Sequence, residues 1–316
     1  MKRSAFALAA AVSVALSIAA TGQDRWEAPG FVADSGPSRE REAPSDTRPL
    51  ALKFWWSEDW FERGQIEVAT NFPVIERAVS YNNPQDNTEV PARLFRPAQD
   101  GRYPAILFAH GRRGLDEVTS KLPMRLAARG FVVLAPDAFG ARFIEAMPVG
   151  HLEATEADIG AGLDHLLALP DVSTDRACVA SHTRGGYYAL MAAVAQQRQG
   201  RQIACYLSYY PHLQNPNAAE PDQVYRYAAE VDRLDIPVLI MIGEFEQYQR
   251  RRSIETAVAA LKARALDARL IIYPGVGRGF DFRVPQVRTF ADDLATKDSL
   301  IRAADFFQKH LAAFKK

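Results

Sequence analysis

Ala177-Cys178-Val179-Ala180-Ser181-His182-Thr183-Arg184-Gly185-Gly186 is the stretch on which the reading of the chain turns. Its first four residues are a continuous apolar run, the pattern of a buried parallel strand. A helical pattern follows from Arg184 to about Ala195. The corner between them has the layout G-x-S-x-G, in which small residues two before and two after a central position let a strand turn sharply into a helix. Ser181 and Gly185 are those small residues, Gly186 lets the helix pack close to the strand, and Thr183 takes the centre. Such a corner holds its central residue in a strained backbone, often at positive φ, which a β-branched side chain tolerates poorly.

Outward from this corner, strand patterns alternate with helical ones. Residues 74–81 and 90–96 read as an antiparallel pair joined by the turn-rich Asn82-Asn83-Pro84-Gln85-Asp86-Asn87. Apolar strand runs follow at 105–109 and 131–135, separated by a helix over 117–129 that Gly130 closes. A helix over 153–169 leads into the corner. Beyond it come strands at 203–208, 237–242 and 268–273 and helices at 254–265 and 297–314. The last of these carries Leu300, Ala304, Phe307, Leu311 and Phe314 on one face. This alternation predicts one α/β domain over 74–316: a mostly parallel eight-stranded sheet with helices on both faces. Ligands then bind at the carboxyl ends of the strands.

The amino-terminal residues read differently. Lys2 and Arg3 precede an apolar run over 6–19, and Ala20-Thr21-Gly22 offers small residues for cleavage, so 1–22 reads as a signal peptide, with a membrane anchor as the alternative. Residues 23–50, rich in Pro, Ser, Glu and Arg, read as a disordered linker. Residues 51–73 carry Phe54, Trp55, Trp56, Trp60 and Phe61 and read as an aromatic strap on the domain or a wall of its pocket. The expected location is exported, periplasmic or extracellular, with no membrane association once the signal is cleaved. Lys plus Arg and Asp plus Glu are both 38, and the missing basic excess argues against a nucleic-acid partner. Two cysteines are too few for a disulfide framework, and no His or Cys spacing suggests a metal, so no metal or cofactor is expected. Cys178 and Cys205 fall in neighbouring strands. Free buried thiols are the default expectation, with a disulfide after export as the alternative that the geometry of paired parallel strands disfavours.

Four segments together resemble the dienelactone hydrolase branch of the α/β-hydrolase superfamily. Besides the corner, they are Phe108-Ala109-His110-Gly111-Arg112-Arg113-Gly114-Leu115, Leu134-Ala135-Pro136-Asp137-Ala138-Phe139-Gly140 and Tyr273-Pro274-Gly275-Val276-Gly277-Arg278-Gly279-Phe280. Each lies at the end of an expected strand, and the likeness spans most of 74–315. The resemblance implies the α/β-hydrolase fold, no cofactor, a small-molecule ester, lactone or carboxylate partner, and a nucleophile–acid–histidine triad. It places the nucleophile at Thr183, where the family has Cys or Ser. It places the acid at Glu246, three residues after Gly243, and the histidine where this chain has Arg278.

Arginine stays protonated to above about pH 12 and offers no acceptor lone pair, so Arg278 cannot serve as a general base. Threonine needs such a base beside it. Of the six histidines, His110, His151, His182 and His212 fall near the expected site, with His110 implied to brace the oxyanion loop or contact ligand, while His165 and His310 fall on helices. An oxyanion hole made of the Arg112 and Arg184 amides survives side-chain changes. Arg112, Arg113, Arg142, Arg184 and Arg278 all map to one edge of the sheet, suggesting an anion-binding cleft; the equal alternative is that Arg278 pairs with Glu246 and that Arg112 and Arg184 point to solvent. Arg142 stands near the place where the family holds a substrate carboxylate. Arg250-Arg251-Arg252 reads as a solvated face, with a patch for an anionic partner as the alternative. The expectation is a weak or inactive ester or lactone hydrolase with a degraded triad and a small anionic or ester ligand. Two alternatives stay open: an active hydrolase using Thr183 with an unrecognised base, and an interaction protein with a vestigial pocket.

Overall fold

Eight strands form one sheet in a computed structural model that describes residues 72–283 and 287–311. They are β1 (Val74–Asn82), β2 (Glu89–Pro97), β3 (Tyr103–Ala109), β4 (Val132–Pro136), β5 (Val172–His182), β6 (Ile203–Tyr209), β7 (Val238–Phe245) and β8 (Ala268–Gly277), in the order β1-β2-β4-β3-β5-β6-β7-β8. β1 pairs antiparallel with β2, and β2 antiparallel with β4. Every other pairing is parallel. The expected signal peptide, linker and the strap up to residue 71 lie outside the described residues. At the strap's end, the Phe72 amide donates to the Ala128 carbonyl at 3.1 Å and its ring meets Tyr103 edge-on.

Seven α-helices are described, the first six between strands and the last after β8: α1 (Lys121–Ala127), α2 (Ala138–Ala141), α3 (Ala154–Leu167), α4 (Gly185–Leu190), α5 (Glu220–Tyr225), α6 (Tyr248–Ala263) and α7 (Phe290–Leu311), counted among the described residues. Successive strand residues point to opposite faces, and β5 shows which helices cover each. Ser181 hydrogen-bonds Ser208 at 2.7 Å on the face where Gly186 of α4 packs close. His182, next along, meets Asp281 at 3.0 Å, and the Asp281 carbonyl is held by Arg125 of α1. Both faces are therefore covered, and the runs 105–109, 132–135 and 238–242 are almost wholly shielded from water.

Two helices begin earlier than the hydrophobic periodicity places them. α6 opens at Tyr248 rather than 254, taking in the arginine run, and α7 opens at Phe290 rather than 297. Thr289 and Asp292 form a reciprocal cap at the head of α7, with Thr289 N to Asp292 Oδ2 at 2.9 Å and Asp292 N to Thr289 Oγ1 at 3.1 Å. The spacing Thr-x-x-Asp is visible in the sequence. Phe314 lies outside the described residues.

The cysteines correct the expectation of free thiols: Cys178 and Cys205 form a disulfide across β5 and β6. The register slips between Ala177 and Cys178, so Ala177 faces Ile203 but Cys178 faces Cys205. That irregularity sets the two Cα atoms 4.7 Å apart, inside the span of about 4.4–6.8 Å that a disulfide accepts.

Candidate active site

The corner after β5 places Thr183 at φ 50°, the strained left-handed conformation expected of it. Its amide donates to the Tyr209 carbonyl at 3.2 Å, and its carbonyl accepts from Gly186 at 3.0 Å and His212 at 2.7 Å. A sharp turn needs close backbone approach, and a Cβ at Gly185 would lie 2.1 Å from the Ala109 carbonyl oxygen. The loop after β3 crowds Thr183 from above: a Cβ at Gly111 would lie 1.8 Å from Thr183 Oγ1. That hydroxyl is buried and hydrogen-bonds nothing among the described residues. Neither the Arg112 nor the Arg184 amide donates to another described residue, leaving both for an oxyanion.

Glu246 and Arg278 meet beside this corner. Arg278 Nη1 donates to Glu246 Oε1 at 2.7 Å, and Nη2 donates to the Tyr210 carbonyl at 2.7 Å. The guanidinium also lies over the Tyr210 ring, 5.3 Å from its centroid. The Glu246 carboxylate is fully buried, with the Gln247 amide on Oε1 and no partner for Oε2. This is an acid–cation pair linking the loops after β7 and β8. It neutralises Glu246, but a guanidinium holds no lone pair with which to take a proton from Thr183.

No histidine ring hydrogen-bonds the Thr183 hydroxyl among the described residues. His110 is fully buried, packs edge-on to Phe139 and has Nδ1 2.9 Å from the Gly111 carbonyl; burial pushes its pKa down. His151 bonds Glu156 at 2.6 Å and stacks on Tyr188. His182 faces away, into a buried cluster where Tyr210 donates to Asp281 Oδ1 and His182 Nε2 meets Oδ2. Burial pushes the Asp281 carboxyl up, but His182, Tyr210 and Arg125 bring it below its ordinary value. His212 is the histidine in the cleft. Burial, followed by the charges of Arg278, Arg250, Arg184 and Arg112, holds its pKa well below the usual range, so the ring is neutral.

Two of the expected anion ligands are turned elsewhere. Arg142, expected to bind ligand, bonds Asp158 through Nε and Nη2 at 2.8 and 2.7 Å and Asp86 at 2.6 Å. The reason is the fully buried Asp158 carboxylate, which needs a counter-charge. Arg113 pairs with Asp116, half exposed at the surface. Arg112 and Arg184 stay at the cleft but hold the loop above it. Arg112 donates to the Pro148 and Met147 carbonyls at 2.9 Å each, and Arg184 to Gly150 and Val149 at 2.6 and 3.1 Å.

Arg250 is the residue that the sequence reading missed. Of the run taken for a solvated face, Arg251 pairs with Glu255 and Arg252 lies over Tyr225. Arg250 instead turns inward to Gln214 Oε1 at 2.6 Å. Its place four residues after Glu246, at the carboxyl edge of the sheet, was the available signal. Among the described residues, no cluster of His, Cys, Asp and Glu could hold a metal, and no helix is long and apolar enough to cross a membrane.

The strand order, the covered sheet and the corner after β5 define an α/β-hydrolase fold. The chain belongs to the dienelactone hydrolase family, whose model matches residues 90–311. It is 28% identical over 229 residues to a protein of Escherichia coli O157:H7 named "Putative carboxymethylenebutenolidase", covering 66% of this chain and 80% of that one. Among solved structures it is similar to a "Putative Dienelactone Hydrolase" from Klebsiella pneumoniae subsp. pneumoniae MGH 78578, with TM-score 0.58, 20% identity, and coverage of 75% of this chain and 99% of that one. An esterase of Pyrobaculum calidifontis has the same TM-score at 20% identity, covering 76% and 87%.

Proposed function

We propose that this chain is an exported member of the dienelactone hydrolase family whose triad positions no longer support efficient ester or lactone hydrolysis. In this proposal its cleft binds a small anionic or ester ligand. One observation carries the proposal: Arg278 occupies the place of the expected base, paired with Glu246 at 2.7 Å. A nucleophile without a base loses several orders of magnitude in rate, because triad members act as a unit. The unpartnered Thr183 hydroxyl supports the same reading. The Arg112 and Arg184 amides remain able to hold a carbonyl or carboxylate oxygen. Export rests on the apolar run after Lys2 and Arg3.

The test is hydrolysis of p-nitrophenyl acetate and an enol lactone by the purified chain, with Thr183→Ala as control. The expected rate is that of the buffer, unchanged by the substitution. A rate above it that Thr183→Ala abolishes would make this an active threonine hydrolase and overturn the proposal.

A further inference from the structure

Four guanidiniums converge at the carboxyl edge of the sheet. Arg278 holds the Tyr210 carbonyl, Arg250 holds Gln214, and Arg184 follows Thr183, whose carbonyl accepts from the His212 amide, so these residues bracket His212; their charges, with that of Arg112, act on its ring. Among the described residues, only Arg278 has a carboxylate partner. Arg112 and Arg184 donate to loop carbonyls and Arg250 to an amide oxygen, and none of the three meets an acidic group among the described residues. Three positive charges are thus uncompensated in a partly dry cleft, where like charges repel and an anion is strongly favoured. Burial, followed by Arg278, pushes the Arg250 pKa down to about 10, and the Glu246 carboxylate, already shared with Arg278, offsets only part of this.

Unfilled donors point the same way. Arg184 is 5% exposed and Gln214 is 2% exposed, yet Arg184 Nε and Gln214 Nε2 are buried without an acceptor among the described residues. Native proteins seldom leave such donors empty. On the Arg184 side, away from Gln214, lies a cavity of about 280 Å³, lined by Arg184 with Phe139, Ile144, Leu152 and Tyr188 and faced mainly by apolar atoms. Arg184 therefore joins a charged subsite to an apolar one.

We propose that this edge binds a dianionic organic acid carrying one aromatic ring or short alkyl chain. Its doubly charged oxyanion, a phosphate monoester or a dicarboxylate, meets Arg250 and Arg278 beside His212, and its apolar group enters the cavity next to Arg184. The assignment rests on the anion-binding function proposed above and adds the charge and the apolar group. Two charges suit three uncompensated arginines better than one. A neutral His212 adds a ring nitrogen without a competing charge. Arg142 is spent on Asp158, so the donor set differs from the one implied by family resemblance.

Calorimetric titration of the full chain at about pH 7.5, above the ordinary histidine pKa, tests this. The probes are phenyl phosphate, benzylsuccinate, methyl phosphate and phenol. Phenyl phosphate or benzylsuccinate should bind at least about tenfold tighter than methyl phosphate, and phenol should not bind. The tighter of the first two identifies the oxyanion. Arg250→Gln should weaken that ligand by about tenfold or more. Arg250→Gln also removes the donor to Gln214, so Arg250→Lys, which keeps the charge, should retain more of the affinity than Arg250→Gln; equal losses in the two variants would make Arg250 purely structural and overturn its place in the site. Equal binding of methyl and phenyl phosphate, lost in Arg250→Gln, overturns the cavity assignment and leaves anion binding standing. Binding of phenol alone overturns the charge assignment. No binding of any anion overturns this proposal and leaves the loss of hydrolysis proposed above standing, with an ester as its remaining ligand.

Discussion

Arg278 bonds Glu246 across 2.7 Å, tying the loop after β8 to the loop after β7. If the positions are those of a triad, the chemistry should be recoverable. Thr183→Ser combined with Arg278→His should raise p-nitrophenyl acetate hydrolysis about 100-fold over the parent. Stopped-flow absorbance reads the rate. An unchanged rate in a variant that melts normally would mean that Arg278 does not mark the place of a base.

Thr183 is a β-branched residue at φ 50°. Glycine carries no penalty there, while valine keeps it. Thr183→Gly should therefore stabilise the fold by about 1 kcal/mol, net of the chain entropy that glycine adds. Thr183→Val should not. In a domain of this size the gain reads as about 2–4 °C in a thermal melt.

Arg142 should prove structural. Asp158 is fully buried and depends on Arg142 and Asn83, whose Nδ2 lies 2.7 Å from it. Arg142→Met strands that carboxylate and should cost about 3 kcal/mol in urea unfolding. Asp158→Asn with Arg142→Met should recover part of it. Affinity for phenyl phosphate should be unchanged in either variant.

His212 gives the fold a pH dependence of definite sign. Its folded-state pKa lies below its unfolded value, so below about pH 6.5 the unfolded chain takes up a proton that the folded one refuses. The stability contributed is fully present above that pH and is lost as the pH falls from there towards the folded pKa. Buried His110 has the same sign. The unfolding free energy from urea melts should be about 1 kcal/mol or more lower at pH 5.5 than at pH 7.5. His212→Asn should reduce the fall, and an unaltered slope in that variant would count against its neutral state.

The disulfide closes a loop spanning 27 residues of sequence. Breaking it should cost about 3 kcal/mol by the chain-entropy account. Urea unfolding of Cys178→Ala/Cys205→Ala measures this, and thiol titration of the denatured parent without reductant should find no free thiol.

The sheet was legible because its strands are apolar runs too short and too regularly spaced for helices, and because the corner at Thr183 fixes where one strand meets a helix. Glu246 and Arg278 were placed by the family resemblance, which puts an acid and a histidine after two successive strands, and the structure brings the two together at 2.7 Å. Arg250 was not, since one guanidinium in a run of three turns inward only when Gln214, from a different loop, offers it an oxygen. Arg142 was misplaced because Asp158, sixteen residues away on a helix, competes for it, and sequence spacing does not show that competition. The cysteines were misread because a one-residue slip in pairing register leaves no mark in composition.

That slip also bears on how the chain is made. Cys178 and Cys205 have no exposed surface in the folded protein, so an oxidant must reach their sulfurs before β5 and β6 close together. A chain that folds in a reducing medium seals two thiols in the middle of its sheet, where later exposure to air repairs them only through transient opening. The bond is thus a record of where folding took place. Preparations from oxidising and reducing hosts should differ by the mass of two hydrogens and keep that difference for as long as they stay folded.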